Sequence, residues 1–132
     1  MLFGKLSIKT SSTQEVVDIT PIVEEFIEKE NSSDGICHLF TTHTTCALTT
    51  GEIGEGTDDD FLEVAQKIIP KINFRHGHNP SHAPSHMASS LIGPSLILPV
   101  QKGKLKLGTW QSALLIELDG PRERNIAITL LP

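Results

Sequence analysis

The order of two hydrophobic periods along the chain is the feature that most constrains its fold. Short alternating or β-branched runs, which are typical of strands, surround two stretches whose apolar residues recur at helical spacing. We predict one helix from Thr20–Pro21, an N-cap followed by a first-turn proline, to about residue 31, and another from Thr57 or Asp58 to Pro70. The predicted strands lie at 3–19, with a polar turn at 11–13, and at 36–42, 44–50, 96–100, 105–107, 110–118 and 125–131. This order predicts an α+β fold with a mainly antiparallel or mixed sheet and two main helices on one side of it.

Length and composition exclude several classes of protein. The 132 residues fit one domain, residues 1–132, and 38% hydrophobic residues are enough to build a core. The net charge of −5 argues against nucleic-acid binding, which needs a basic face. No apolar run approaches the roughly 20 residues of a membrane helix, and the polar start is unlike a signal peptide, so we expect no membrane partner. Cys37 and Cys46 are expected to be reduced thiols of a cytoplasmic protein.

Four of the six histidines fall in one segment that has neither the helical spacing nor the strand alternation of apolar residues. Residues 73–90 include two prolines and no regular apolar spacing, so we predict a loop there, and a loop this long is usually functional or disordered. His76, His78, His82 and His86 are candidate metal ligands, because three neutral imidazoles with one open position form a catalytic zinc site. The alternative is a solvated histidine-rich loop that binds metal only adventitiously.

His43 and Glu52 extend this candidate site. His43 lies between two predicted strands and among threonines, whose hydroxyls could orient an imidazole; a structural histidine is the alternative. Glu52 belongs to a glycine-rich acidic loop at 51–56, where it is a candidate general base for a metal-bound water or else a solvated turn residue. We therefore assign His43 and Glu52 as candidate catalytic residues.

Two further motifs are candidates for substrate binding. The only tryptophan, Trp110, stands between a hydroxyl and an amide side chain, which indicates either a ligand platform or a buried aromatic anchor. Glu117, Asp119 and Arg122 lie close together in the sequence, as a salt-bridged turn or as an anion-binding Arg122 held by Asp119. The predicted substrate contacts are Thr109, Trp110, Gln111 and Arg122.

Four blocks of sequence occur in one order and together resemble a known family. The blocks are His43–Thr49, His86–Gly93, Leu107–Gln111 and Glu117–Arg122. They are similar to those of the YjbQ-like family, also called the secondary thiamine-phosphate synthase family, and the resemblance runs from Leu6 to Ile128. One departure is Gly51–Glu52, where many members of the family have Asn-Glu; the carboxylate is retained and the amide is lost.

The resemblance implies an assembly, a metal and an activity. It implies a small α+β domain that forms homotrimers. It also implies a divalent metal held by His43, His86 and His76, with His78 or His82 as alternative third ligands. Histidine ligation without thiolates suits zinc, nickel, iron or cobalt, and we expect zinc. The implied activity is thiamine-phosphate synthesis, in which a hydroxymethylpyrimidine diphosphate is joined to a thiazole phosphate with loss of pyrophosphate.

Three functions therefore stand as expectations. The first is a metal-dependent enzyme acting on a small phosphorylated substrate. The second is a trimeric module that binds a metal or a small phosphorylated ligand without catalysis. The third is a structural trimer whose histidines line a subunit interface.

Overall fold

A computed structural model describes all 132 residues, which form eight strands, three α-helices and one short 3₁₀ helix. The strands are β1 Leu2–Lys9, β2 Glu15–Asp18, β3 Gly35–Thr41, β4 Cys46–Gly51, β5 Ser95–Gln101, β6 Lys104–Leu105, β7 Ser112–Glu117 and β8 Glu123–Leu131. The helices are α1 Thr20–Lys29, α2 Thr57–Lys67 and α3 Ala83–Ile92, with the 3₁₀ helix at Pro80–His82. The predicted α+β class is confirmed, with three helices in place of two.

The strands form two sheets, and every strand pair is antiparallel. The larger sheet has the order β1-β8-β3-β5-β6, and the smaller has the order β2-β7-β4. In the smaller sheet, Cys46 pairs with Glu117 at one end and Gly51 pairs with Ser112 at the other. The predicted antiparallel pairing is thus confirmed, but it is divided between two sheets.

The main core lies between the two sheets and includes one face of α1. Side chains of both sheets and of α1 belong to one cluster of 17 buried residues. Fully buried members include Val23, Ile27, Leu39, Leu115 and Ile126. Burying this apolar surface supplies the main driving force for folding.

A second, smaller core covers the other face of the small sheet. Ala47, Leu114 and Ile116 pack there against α3 and against partly buried apolar residues of α2. Because β7 is buried on both faces, its sequence is a continuous apolar run and does not alternate.

The prediction of a loop over 73–90 is wrong for its second half. Residues 73–79 have no helix or strand, but Pro80 begins a 3₁₀ turn that continues into α3. The side chain of Asn79 accepts a hydrogen bond from Ser81 N and caps this turn. The two prolines lie at the first turns, where a missing N–H costs little. Helical spacing is hard to see in α3 because its buried residues are small: Ala83, Ala88 and Ser89.

Some predicted boundaries also need correction. Thr20 does not cap α1; Ile19 occupies that position, and Thr20 Oγ1 instead accepts a hydrogen bond from Ala113 N at 2.9 Å. Helix α2 is preceded by Gly56 in the left-handed region, with φ of 85°, so Thr57 is already helical. Trp110 was predicted to begin a strand, but β7 begins at Ser112 and Trp110 lies in a turn, 78% exposed.

The outer face of the larger sheet exposes several large apolar side chains among polar ones. Phe3 and Ile97 are 75% and 70% exposed, and they flank Thr129 and His38 in one row across four strands. Phe40 is also exposed on this face, one row away. Large apolar side chains that are this exposed on one face of a sheet are typical of an interaction site. None of the helices is long and apolar enough to cross a membrane.

Candidate functional site

An open pocket of about 620 Å³ lies where β4, β7 and β8 meet the start of α3. Its lining residues are all polar: Thr42, His43, Thr44, Thr45, His82, His86, Asp119, Arg122, Glu123 and Arg124. We call it the histidine–arginine pocket. It gathers three of the histidines and one predicted substrate contact, Arg122, from three separate parts of the sequence.

A buried ion pair forms the base of this pocket. Arg124 is 2% exposed and Glu117 is fully buried, and Arg124 Nε donates to Glu117 Oε1 at 2.9 Å. Thr10 Oγ1 donates to the same carboxylate oxygen at 2.7 Å, and the second guanidinium nitrogen donates to Thr45 Oγ1 at 2.8 Å. Burial alone would raise the pKa of Glu117, but hydrogen bonds from Arg124, Thr10 and the backbone of Asp119 outweigh it and hold that pKa below its usual value.

His43 is half-buried in the wall of the pocket. Its Nε2 accepts a hydrogen bond from the backbone N–H of Asn125 at 3.0 Å, and no protein group bonds to its Nδ1. Burial and the charge of Arg124 lower the pKa of His43, and a weaker contribution from Glu117 opposes them. The ring is therefore biased towards its neutral form.

Arg122 lies at the pocket mouth with half of its side chain exposed. Its Nε donates to Asp119 O at 2.7 Å, and one terminal nitrogen donates to Asp119 Oδ2 at 3.0 Å. This contact fits both predicted alternatives, a salt-bridged turn and an Arg122 held by Asp119, and it leaves guanidinium hydrogens free. His82 Nδ1 is 3.8 Å from the same carboxylate. A narrower cavity of about 260 Å³, between α2 and α3, shares His82 and Asp119 with the pocket.

The structure does not gather the predicted ligands into a metal site. No group of three His, Cys, Asp or Glu side chains is placed to hold an ion. The rings of His76 and His86 stack with centroids 4.9 Å apart, and His76 Nδ1 bonds to Asn79 O at 3.0 Å. His78 is exposed in the segment before the 3₁₀ turn. Because His43 Nε2 is already bonded to a backbone N–H, the residues as placed do not fit the three-histidine metal site that the sequence predicted.

Glu52 and the tryptophan motif lie at the other end of the small sheet. Glu52 follows the end of β4, accepts a hydrogen bond from Thr57 Oγ1 at 3.0 Å, and is exposed. Gln111 Nε2 donates to Thr50 Oγ1 at 3.1 Å, which places the turn with Thr109 and Trp110 beside the same end. The strand between the two ends separates them from the pocket by roughly 20 Å. Within one chain, these predicted catalytic and substrate residues are therefore not near His43.

Sequence reasoning missed the pairing at the base of the pocket. Glu117 was grouped with Asp119 and Arg122 as a salt-bridged turn, but its partner is Arg124. A signal was available, since Arg124 is in phase with the inward-facing Ile126 and so occupies an inward position of β8. A buried arginine requires a buried anion, and Glu117 ends the apolar run of β7.

Comparison with known proteins identifies the family. The sequence profile of the family described as "UPF0047 protein YjbQ-like" matches residues 4–132. The chain belongs to the YjbQ-like family. It is 40% identical over 128 residues to a UPF0047 protein of Archaeoglobus fulgidus, which covers 96% of this chain and 99% of that protein. It is 33% identical over 127 residues to the UPF0047 protein YugU of Bacillus subtilis, covering 96% of each.

Solved structures share the whole fold. A hypothetical protein from Aeropyrum pernix K1 superposes with a TM-score of 0.91 at 32% identity, covering 99% of this chain and 98% of that one. A "YbjQ-like protein of unknown function" from Sulfolobus solfataricus P2 gives a TM-score of 0.89 at 35% identity, with coverage of 98% and 95%. None of these four descriptions states a reaction, a substrate or a metal.

Proposed function

We propose that the histidine–arginine pocket binds a small phosphorylated molecule, and that this YjbQ-like chain is an enzyme acting on it. The observation that carries the proposal is a wholly polar pocket with Arg122 at its mouth and imidazoles in its wall. A guanidinium fork matches phosphate geometry, and the donors of Arg122 that Asp119 does not use are available to it. The pocket volume of about 620 Å³ is in the range of pockets that bind small molecules.

The reaction we propose for this enzyme is thiamine-phosphate synthesis, as expected from the sequence. In it, the bond from the pyrimidine methylene carbon to the diphosphate breaks, and pyrophosphate leaves with the electron pair. A bond from that carbon to the ring nitrogen of the thiazole phosphate forms. The role of Arg122 would be to bind the diphosphate and stabilise the negative charge that grows on the leaving group.

The test compares removal of two exposed arginines. Arg122→Ala deletes the pocket cation, and Arg75→Ala deletes an exposed cation of the segment before the 3₁₀ turn. We expect pyrophosphate binding, measured by calorimetry, to weaken about ten-fold or more in Arg122→Ala and to be unchanged in Arg75→Ala. Equal binding by both variants, or none by the wild type, would overturn the proposed pocket.

Turnover separates the enzyme from the binding module. Formation of thiamine phosphate from the two phosphorylated precursors, lost in Arg122→Ala, would support the enzyme. Pyrophosphate binding without any turnover would favour the second candidate, a module that only binds phosphorylated ligands. A divalent metal, zinc by preference, is a separate proposal that leaves His43 out: its ligands would be His76 and His86, whose ring centroids lie 4.9 Å apart. Metal analysis, and assays with and without a chelator, test it directly.

We propose that the chain's binding partner is itself and that three copies form a homotrimer. The exposed side chains of Phe3 and Ile97 on the outer face of the larger sheet support it, because large apolar side chains are costly to leave in water. Sedimentation of the wild type should show a trimer at micromolar concentration, and Ile97→Glu should dissociate it. Val64→Glu is the matched control, since Val64 is also an exposed apolar residue but lies on α2. A wild-type monomer, or a trimer that survives Ile97→Glu, would contradict the proposal for this face.

The roles predicted for Glu52 and Trp110 remain proposals that depend on this assembly. Only a neighbouring subunit could bring that end of the small sheet to the pocket. A cytoplasmic location is likewise proposed, and the two free, buried cysteines support it.

A further inference from the structure

The hydrogen bond to His43 fixes where the proton of this imidazole lies. The backbone N–H of Asn125 points at Nε2 at 3.0 Å. A backbone amide nitrogen only donates, so Nε2 must accept with its lone pair. A neutral imidazole has one lone pair and one N–H, and the N–H is therefore on Nδ1.

This hydrogen bond closes the sheet where β3 ends. The ladder between β3 and β8 stops at the pair Thr41 and Ile126, and Asn125 is the next residue of β8. Thr41 Oγ1 approaches Asn125 O at 3.5 Å, and His43 Nε2 takes the N–H of the same residue. If His43 turned its lone pair to a metal, this half-buried N–H would lose its partner, at a cost of about 1–3 kcal/mol.

The opposite ring nitrogen remains free for a ligand. Nδ1 of His43 has no protein partner, and the ring lines the histidine–arginine pocket together with Arg122. The charged groups that act on the ring are Arg124, Glu117 and Arg122, and both arginines disfavour an imidazolium. A neutral ring whose only free polar atom is an N–H suits an acceptor and not a cation.

We propose that His43 is a neutral hydrogen-bond donor, through Nδ1–H, to a phosphate oxygen of the pocket's ligand, and is not a metal ligand. The donor role rests on the proposed phosphorylated-ligand pocket. Its tautomer does not, because Asn125 sets it in the free protein. Arg122 would supply charge to the phosphate, and His43 would supply a directed donor at a fixed position.

The first experiment reads the tautomer without any ligand. Long-range ¹H–¹⁵N correlation spectra of the ¹⁵N-labelled wild-type protein at neutral pH report which imidazole nitrogen carries the proton. The signals of His43 are assigned by their loss in His43→Gln. We expect a protonated Nδ1 and an unprotonated Nε2. A ring protonated on Nε2 would overturn the inference while leaving the proposed pocket standing.

The second experiment uses inorganic pyrophosphate and zinc as probes. We expect pyrophosphate to shift the Nδ1 signal of His43 and zinc to leave both of its nitrogens unchanged. Zinc binding that shifts Nε2 or deprotonates Nδ1 would overturn the proposal. If pyrophosphate perturbs no pocket signal while the tautomer is as expected, the proposed function fails, and the donor role fails with it.

Matched substitutions complete the test. In His43→Asn the amide NH₂ lies near the place of Nδ1, whereas in His43→Gln it lies nearer the place of Nε2. We expect His43→Ala to weaken pyrophosphate binding about ten-fold, with recovery in His43→Asn and none in His43→Gln. His78→Asn, at an exposed position outside the pocket, is the control. Recovery by His43→Gln and not by His43→Asn would contradict a donor at Nδ1.

Discussion

The buried pair of Glu117 and Arg124 offers the sharpest test of how the pocket is built. Glu117→Gln keeps the shape of the side chain but removes its charge, which leaves Arg124 at 2% exposure without a counter-ion. Removing one partner of a buried ion pair costs about 3–5 kcal/mol, because the remaining charge is neither solvated nor neutralised. We expect the free energy of unfolding to fall by this amount at neutral pH.

A double-mutant cycle separates the pair from its surroundings. Arg124→Met should also be destabilising, because it leaves the buried carboxylate of Glu117 without a counter-ion. Glu117→Gln combined with Arg124→Met removes both charges and keeps an oxygen to accept the N–H of Asp119. The double variant should therefore be more stable than the sum of the single losses predicts, with a coupling of about 2–3 kcal/mol.

The assay is urea unfolding at one fixed protein concentration, because any self-association makes stability depend on concentration. Glu123→Gln is the control; Glu123 is exposed and accepts a hydrogen bond from Ser7 at the surface. We expect it to change stability by less than about 0.5 kcal/mol. A loss below about 1 kcal/mol in Glu117→Gln, or additive single losses, would refute the idea of a desolvated, coupled pair.

The stability that the pair of Glu117 and Arg124 contributes should depend on pH in a definite direction. The pKa of Glu117 is lower in the folded protein than in the unfolded chain, so the folded state binds this proton less readily. Its contribution is complete above the ordinary glutamate pKa of about 4.3 and is lost as pH falls through the depressed pKa of the folded protein. The stability difference between the wild type and Glu117→Gln should therefore narrow on acidification. A difference that widens would contradict the assignment.

Three further outcomes follow from the structure. Gly120→Ala should lower the melting temperature and cost about 1–3 kcal/mol, because a Cβ there would lie 2.4 Å from the carbonyl oxygen of Ser12. In the control Gly77→Ala, the added Cβ would have no atom within 4 Å, so this variant should keep the wild-type stability. Equal melting temperatures for the two variants would contradict this expectation. Fluorescence of the single tryptophan, Trp110, should be typical of a water-exposed indole in the isolated chain, and a shift to shorter wavelength on assembly or ligand binding would locate this turn at an interface. Burial raises the pKa of Cys37 to about 12 and also raises the pKa of Cys46. Neither thiol should therefore react with a disulfide reagent at neutral pH until the protein unfolds. Rapid reaction of the native protein would contradict the burial of these thiols.

The elements that sequence analysis located correctly are those whose signal is local. Helices α1 and α2 carry large apolar residues at helical spacing, and the turn Asp119–Arg122 carries its own proline and glycine. Helix α3 was missed because its contacts use small side chains; Ser89 Oγ, for example, donates to Cys46 O at 2.6 Å. A residue as small and polar as serine contributes to no hydrophobic period, although Ser89 is buried in the fold.

The sequence by itself also singled out His43, His86 and Arg122 as candidate site residues, and the structure brings these three to one pocket. It could not determine that Glu52 and Trp110 lie at the opposite end. That separation is set by the antiparallel register of β4 and β7, in which Cys46 pairs with Glu117 and Gly51 with Ser112. Strand partners far apart in the sequence are chosen by the packing of the whole core, which no local pattern records. Tertiary structure alone likewise decided the proton position on His43, because the N–H of Asn125 comes from a strand 82 residues further along the chain.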